Sequence, residues 1–198
     1  MHRRITSLRC ALLLVGGLLA VGCSDPASAP LAARQPLRAV ASSGRVSFDF
    51  DGNVKGFPTG EVHFNGGGSY APGTATNDLG VETSLASGGS FDCISPVEQL
   101  KLNGCKKDEG VRWDAEHLLA STSFKCTGAN AEASKPIVTD ANTAIIQADF
   151  YRTGDGNVES FSAQMIVSQT DIAPDIEGVQ TLWIQGVGCG TADVRFGR

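Results

Sequence analysis

The chain has 198 residues, with 16 basic and 21 acidic side chains and a net charge of −5. An acidic balance without a basic run argues against nucleic acid and against adhesion to anionic lipid headgroups. The length suits one domain of ordinary size with room for a substantial core.

Arg3, Arg4 and Arg9 precede the apolar run Ala11–Val21, which falls far short of the ~20 residues a membrane-crossing helix needs. Basic residues, a short apolar stretch and then small residues read as a secretory signal. The stretch ends in Leu19-Ala20-Val21-Gly22-Cys23, which resembles the lipobox of bacterial lipoproteins. The resemblance implies a signal peptide over residues 1–22, cleavage before Cys23, and acylation of Cys23 at its sulfur and amine. Ala20 stands where that pattern more often has leucine. Ser24 after the cysteine resembles the Gram-negative pattern sent to the outer membrane, with Asp25 beside it as a departure. The implied location is the cell envelope, and the implied first partner is a membrane, held through the lipid anchor. Two or more acyl chains make such anchoring stable. Loss of the three arginines with the signal would take the net charge to about −8.

Residues 24–43 are rich in Ala, Ser and Pro and contain no aromatic residue. Such a segment buries too little apolar surface to offset its ordering entropy, so residues 23–43 read as lipidated cysteine and flexible tether. The folded domain is expected over 44–198.

Along that domain, Val46, Phe48 and Phe50 alternate with polar residues between glycines, the mark of a half-buried strand. Glu61-Val62-His63-Phe64 repeats the pattern and puts His63 on the outer face, and Gly66-Gly67-Gly68 is expected to end or bulge that strand. Gly88–Cys93 and Ser121–Cys126 read as further strands, the second with Thr122, Phe124 and Cys126 on one side. Between them, Asp114–Leu119 has the composition of a helical turn or two capped by Asp114. Thr143–Tyr151 and Val158–Val167 flank Gly154-Asp155-Gly156-Asn157, a hairpin-turn composition. Gln180–Gly186 and Gly190–Phe196 supply the last strands. The expected fold class is all-β: a single antiparallel β-barrel or β-sandwich with at most one short helix and two disulfides. The arrangement over Ile145–Phe196, a strand, a Gly-Asp-Gly turn, a strand, a Pro-Asp loop and a closing strand, resembles uncharacterised secreted bacterial β-proteins. That resemblance implies fold alone.

Of the six cysteines, Cys10 would leave with the signal and Cys23 would carry lipid. Cys93, Cys105, Cys126 and Cys189 remain, an even number that in an exported domain argues for two bridges. Of three pairings, the favoured one joins Cys93 to Cys105 across a local loop and Cys126 to Cys189 between distant strands. A zinc site using these thiols with His63 or His117 would need shorter, paired intervals than these.

No residue pattern decides the chemistry. Asp155, Asn157 and Glu159 are spaced like alternate oxygen ligands, and Asp171, Asp175 and Glu177 follow on the next connection. Two acidic loops at one end of a sheet would suit Ca2+, although the same residues are turn formers. His117 beside Trp113, Asp114 and Glu116 is the only local cluster with a candidate base, and no nucleophile elbow accompanies it. Paired carboxylates of a glycosidase are not readable from sequence, and the aromatic residues are few for a sugar cleft. No catalytic residue is therefore assigned. The expectation is a lipid-anchored envelope domain acting as an interaction module for a protein or glycan, or as a structural module, rather than as an enzyme. A barrel-type carrier of a small apolar ligand is the first alternative, because Ala and Gly among the core residues would leave space inside. An envelope hydrolase near His117 or the acidic loops is the second.

Overall fold

The structure, a computed structural model, describes residues 44–55, 61–94, 110–127, 131–151 and 161–197. Ten strands follow in chain order: β1 (Val46–Lys55), β2 (Glu61–Tyr70), β3 (Leu85–Cys93), β4 (Gly110–Leu118), β5 (Ser121–Phe124), β6 (Lys135–Val138), β7 (Thr143–Tyr151), β8 (Phe161–Ser168), β9 (Leu182–Ile184) and β10 (Gly188–Gly197). Eight of them close an antiparallel barrel in the order β1-β10-β9-β8-β7-β4-β3-β2, while β5 and β6 pair only with each other. The barrel-or-sandwich alternative is thus resolved as a barrel.

Period-two patterning builds the interior. On β1, Val46, Phe48, Phe50 and Val54 are buried and the residues between them are exposed or partly so. On β7 and β8 the inward set is Ala144, Ile146, Ala148 and Phe150 with Ala163, Met165 and Val167. An unbroken line of rings runs from one end of the barrel to the other. Phe196 meets Phe48 at 5.7 Å between centroids, Phe48 meets Phe50 at 6.3 Å, and Phe50 meets Phe64 at 4.9 Å. Phe64 continues to Phe91 at 6.1 Å, Phe91 to Phe150 at 5.8 Å, and Phe150 to Phe161 at 4.9 Å. Trp113 lies beside the line, 5.5 Å from Phe64 and 6.0 Å from Phe50.

The central glycines make room for that tryptophan. A Cβ at Gly66 would fall 2.5 Å from the Trp113 ring, and one at Gly89 would fall 2.7 Å from its Nε1. The indole therefore lies against bare backbone and donates to the Asn65 carbonyl at 3.1 Å. Gly66, Gly67 and Gly68 accordingly do not end β2. They sit inside it, paired on both sides.

A second correction concerns Asp114–Leu119. Residues through Leu118 belong to β4, paired with β3 and β7, and the helix expected there is absent. The ladder shifts by one residue between Ala115 and His117. That bulge breaks the alternation and makes a strand imitate a helical pattern. Among the described residues the only helical element is a 3-10 turn, Pro72–Thr74.

A separate apolar cluster lies on the outside of the β7-β8-β9-β10 wall. Ile145, Ile166, Trp183 and Cys189 point outward there, and Leu119, Phe124, Cys126 and Ala173 pack onto them. The β5-β6 hairpin and the 169–181 connection are their cover. Cys126 and Cys189 form a disulfide with a Cα–Cα distance of 4.7 Å, as the favoured pairing expects. It is the one bridge described, where two were expected. Cys93 is buried at the end of β3, and Cys105 lies outside the described residues. Cys23, the tether and the Gly154–Asn157 turn lie outside them as well.

Antiparallel neighbours sort the connections to two ends. One end carries the entry into β1, the β2-β3 connection, the segment between β4 and β7, the β8-β9 connection and the exit from β10. Tyr70 closes the interior at that end. Its hydroxyl donates to the Asp140 carbonyl at 2.7 Å, and burial, with the Asp140 charge, pushes its ionisation far above the usual phenol value.

Candidate functional site

The larger groove described lies on the outer wall, not inside. It has a volume of about 740 Å³ and is lined by outward residues of β1, β2 and β10 and by the end of the 169–181 connection. Register fixes its floor: Asn53 stands opposite His63, Lys55 opposite Glu61, and Asn53 again opposite Thr191. Alternation thus delivers His63 to the outer face, as its sequence position predicts.

A polar chain crosses the groove. His63 Nδ1 lies 3.1 Å from Asn53 Oδ1, and Asn53 Nδ2 donates to Glu61 Oε1 at 3.4 Å. On its other side the imidazole Nε2 lies 3.6 Å from Asp51 Oδ1. With the proton on Nδ1, Nε2 is free of its own hydrogen and faces the carboxylate. The arrangement can hydrogen-bond a polar ligand. In its lining the Thr191 hydroxyl donates to the Val179 carbonyl, and Cys189 is bridged.

The other histidine is structural. His117 is 7% exposed and its Nε2 contacts the Thr76 carbonyl at 3.0 Å. Trp113, its neighbour in the suspected cluster, points into the barrel, so the local cluster is divided between two faces of β4. The outer face keeps Asp114, Glu116 and Asp149, with Asp114 opposite Asp149. Burial, then the charges of Glu116 and Asp114, pushes the Asp149 carboxyl up. The Tyr151 hydroxyl donates to Asp114 at 2.7 Å and the Ser162 hydroxyl to Glu116 at 2.6 Å.

The proposed calcium ligands fare differently from one another. Asp155, Asn157 and Glu159 lie outside the described residues. Asp171 Oδ1 accepts the backbone N–H groups of Ala173 and Gln180, closing its own loop. Asp175 pairs with Lys135 at 3.2 Å, and Glu177 reaches the rim of the outer groove. Among the described residues no three His, Cys, Asp or Glu side chains group as a metal site.

One constellation escaped sequence reasoning altogether. Glu132 accepts from the backbone N–H groups of Cys126 (2.8 Å) and Thr127 (2.7 Å), from the Thr127 hydroxyl, and from Lys135 Nζ at 2.9 Å. Lys135 carries the link on to Asp175 in the 169–181 connection. Burial alone would raise the Glu132 pKa, but the hydrogen bonds outweigh it and hold the carboxyl down at about 2. This clasp locks the β5-β6 turn beside the disulfide. The Glu-x-x-Lys spacing is its only sequence trace. A smaller groove of about 440 Å³ runs alongside, lined by Phe124, Lys125, Gln164, Trp183 and Gln185 among others.

No protein-family model, curated protein or solved structure matches this chain.

Proposed function

We propose that this protein is a lipid-anchored module of the bacterial cell envelope that binds a partner on its outer surface rather than a ligand inside its barrel. The observation that carries this reading is the aromatic line from Phe196 to Phe161, which occupies the axis a cargo molecule would need. Small barrels hold a ligand when their interior side chains leave a cavity. Here Trp113 and the buried rings of Phe48, Phe50, Phe64, Tyr70, Phe91 and Phe150 converge where that cavity would be. The groove around His63 offers the polar contact surface instead.

In the same reading Cys23 carries the lipid, residues 24–43 are the tether, and Cys93 pairs with Cys105. The test is native mass spectrometry of residues 44–198 exported to an oxidising compartment. The expected species has lost one hydrogen from each of its four thiols and carries no lipophile. A co-purified apolar molecule would move the reading to a carrier. Free thiols holding zinc would overturn the cysteine assignment.

A further inference from the structure

We propose that the barrel end carrying the β2-β3 connection rests on the bilayer surface, with Leu79 and Val81 seated among the lipid headgroups. This rests on the lipid-anchor reading of Cys23. Leu79 is 64% exposed and Val81 48% exposed, side by side on the tip that Asp78 and Gly80 turn. Asn77 ties this tip to the start of β5, donating to Ser121 at 3.0 Å and accepting from the Ala120 and Ser121 N–H groups. Ser121 pairs with Val138, itself 60% exposed. Among the described residues, three of the five exposed large apolar side chains therefore belong to one end of the barrel. Ile94 follows β3 at the opposite end, and Val179 lies against β10.

The same end receives the chain. Val46 pairs with Tyr70, whose strand leads directly into the Leu79 connection, so residues preceding Gly44 join the barrel there. An Ala/Ser/Pro-rich segment of about 20 residues between lipid and barrel spans on the order of 25 Å if it behaves as a coil. That reach keeps the tip at high effective concentration over the membrane, where a weak contact suffices. Leu and Val supply such a contact by burying their apolar side chains at the headgroup boundary. Asp78, Glu82 and Asp140 outnumber Arg45 on this end and favour zwitterionic over anionic lipid.

The experiment uses the full acylated chain on phosphatidylcholine vesicles, with Leu79→Trp and Ile94→Trp as separate probes and brominated phosphatidylcholine as quencher. The buried Trp113 and Trp183 give the background. The expected result is a blue shift and loss of most added emission for Leu79→Trp, with little change for Ile94→Trp. In the unsubstituted protein, amide exchange at Leu79–Val81 should slow on vesicles, and less so when phosphatidylglycerol is added. Equal quenching of the two probes on an acylated chain overturns the docking and leaves the anchor standing. Intact mass without acyl chains on Cys23 overturns both. Protection that needs no vesicles and grows with protein concentration assigns the tip to a second copy and overturns the lipid contact.

Discussion

The molecule holds two apolar cores that are closed by different means. Inside the barrel, eight strands pair in a ring, so every wall of the core is a hydrogen-bonded ladder. Outside it, Ile145, Ile166 and Trp183 project from the wrong face of the same strands and must be covered from beyond the sheet. A ladder cannot supply that cover, because β5 and β6 pair only with each other. The outer core is therefore fastened by point contacts: the Cys126–Cys189 bridge, the Glu132 clasp, and the Trp183 indole donating to the Lys125 carbonyl at 2.8 Å. Cooperative strand pairing makes the first core a property of the whole barrel. Local fastening makes the second separable from it.

The largest effect that bears on this contrast should come from the interior. Trp113→Ala removes a fully buried ring from between Phe50 and Phe64 and should cost roughly 3–5 kcal/mol. Denaturant unfolding should then show a lower midpoint with all probes moving together. Separate transitions for different strands of the barrel would break the cooperative half of the contrast.

Next comes the bridge. Cys126→Ser with Cys189→Ser releases a crosslink between positions 63 residues apart, worth about 4 kcal/mol in the chain-entropy model. Hydrogen exchange should quicken over β5 and β6 and around Trp183 first, with β1 and β2 still protected. Uniform exchange across all strands would show that the outer core is not separable.

The clasp should follow, at roughly 1.5–3 kcal/mol for Glu132→Gln, since each lost bond is charge-assisted and the carboxyl is 11% exposed. Its folded pKa lies below the ordinary carboxyl value of 4.5, at about 2. The clasp is therefore fully stabilising above pH 4.5, and its contribution fades as the pH falls toward 2. The wild-type hairpin should loosen over that window, whereas the glutamine variant should show no such acid step.

The smallest effect belongs to the outer groove. His63→Ala removes an exposed polar contact and should change stability by less than about 0.5 kcal/mol, measured by the shift in unfolding midpoint. A drop of several kcal/mol would make the groove a structural element rather than a binding surface.

Much of the barrel is legible in the chain because alternation is local. Val46, Phe48 and Phe50 each declare their face within a few residues, whereas the Cys126–Cys189 bridge is only one of three pairings the four cysteines allow. Two readings failed for identifiable reasons. The Gly66–Gly68 run looks like a strand terminator unless one knows that Trp113, far along the chain, needs the space above Gly66 and that the neighbouring strands press against Gly67 and Gly68. Asp114–Leu118 looks helical because a bulge, stabilised by pairing with β7, shifts the period partway through the strand.

The sequence by itself determined an all-β chain, the inward and outward faces of its regular strands, and the place of His63 on a surface. Only the tertiary structure decided that the sheet closes, that its axis is filled by rings, and that a second core lies outside under a clasped hairpin. The physical reason is range. Side-chain alternation is written between neighbours, and even the four donors to Glu132 lie within six residues of it, but closure and the seat for Trp113 come from residues that meet only when distant strands pair.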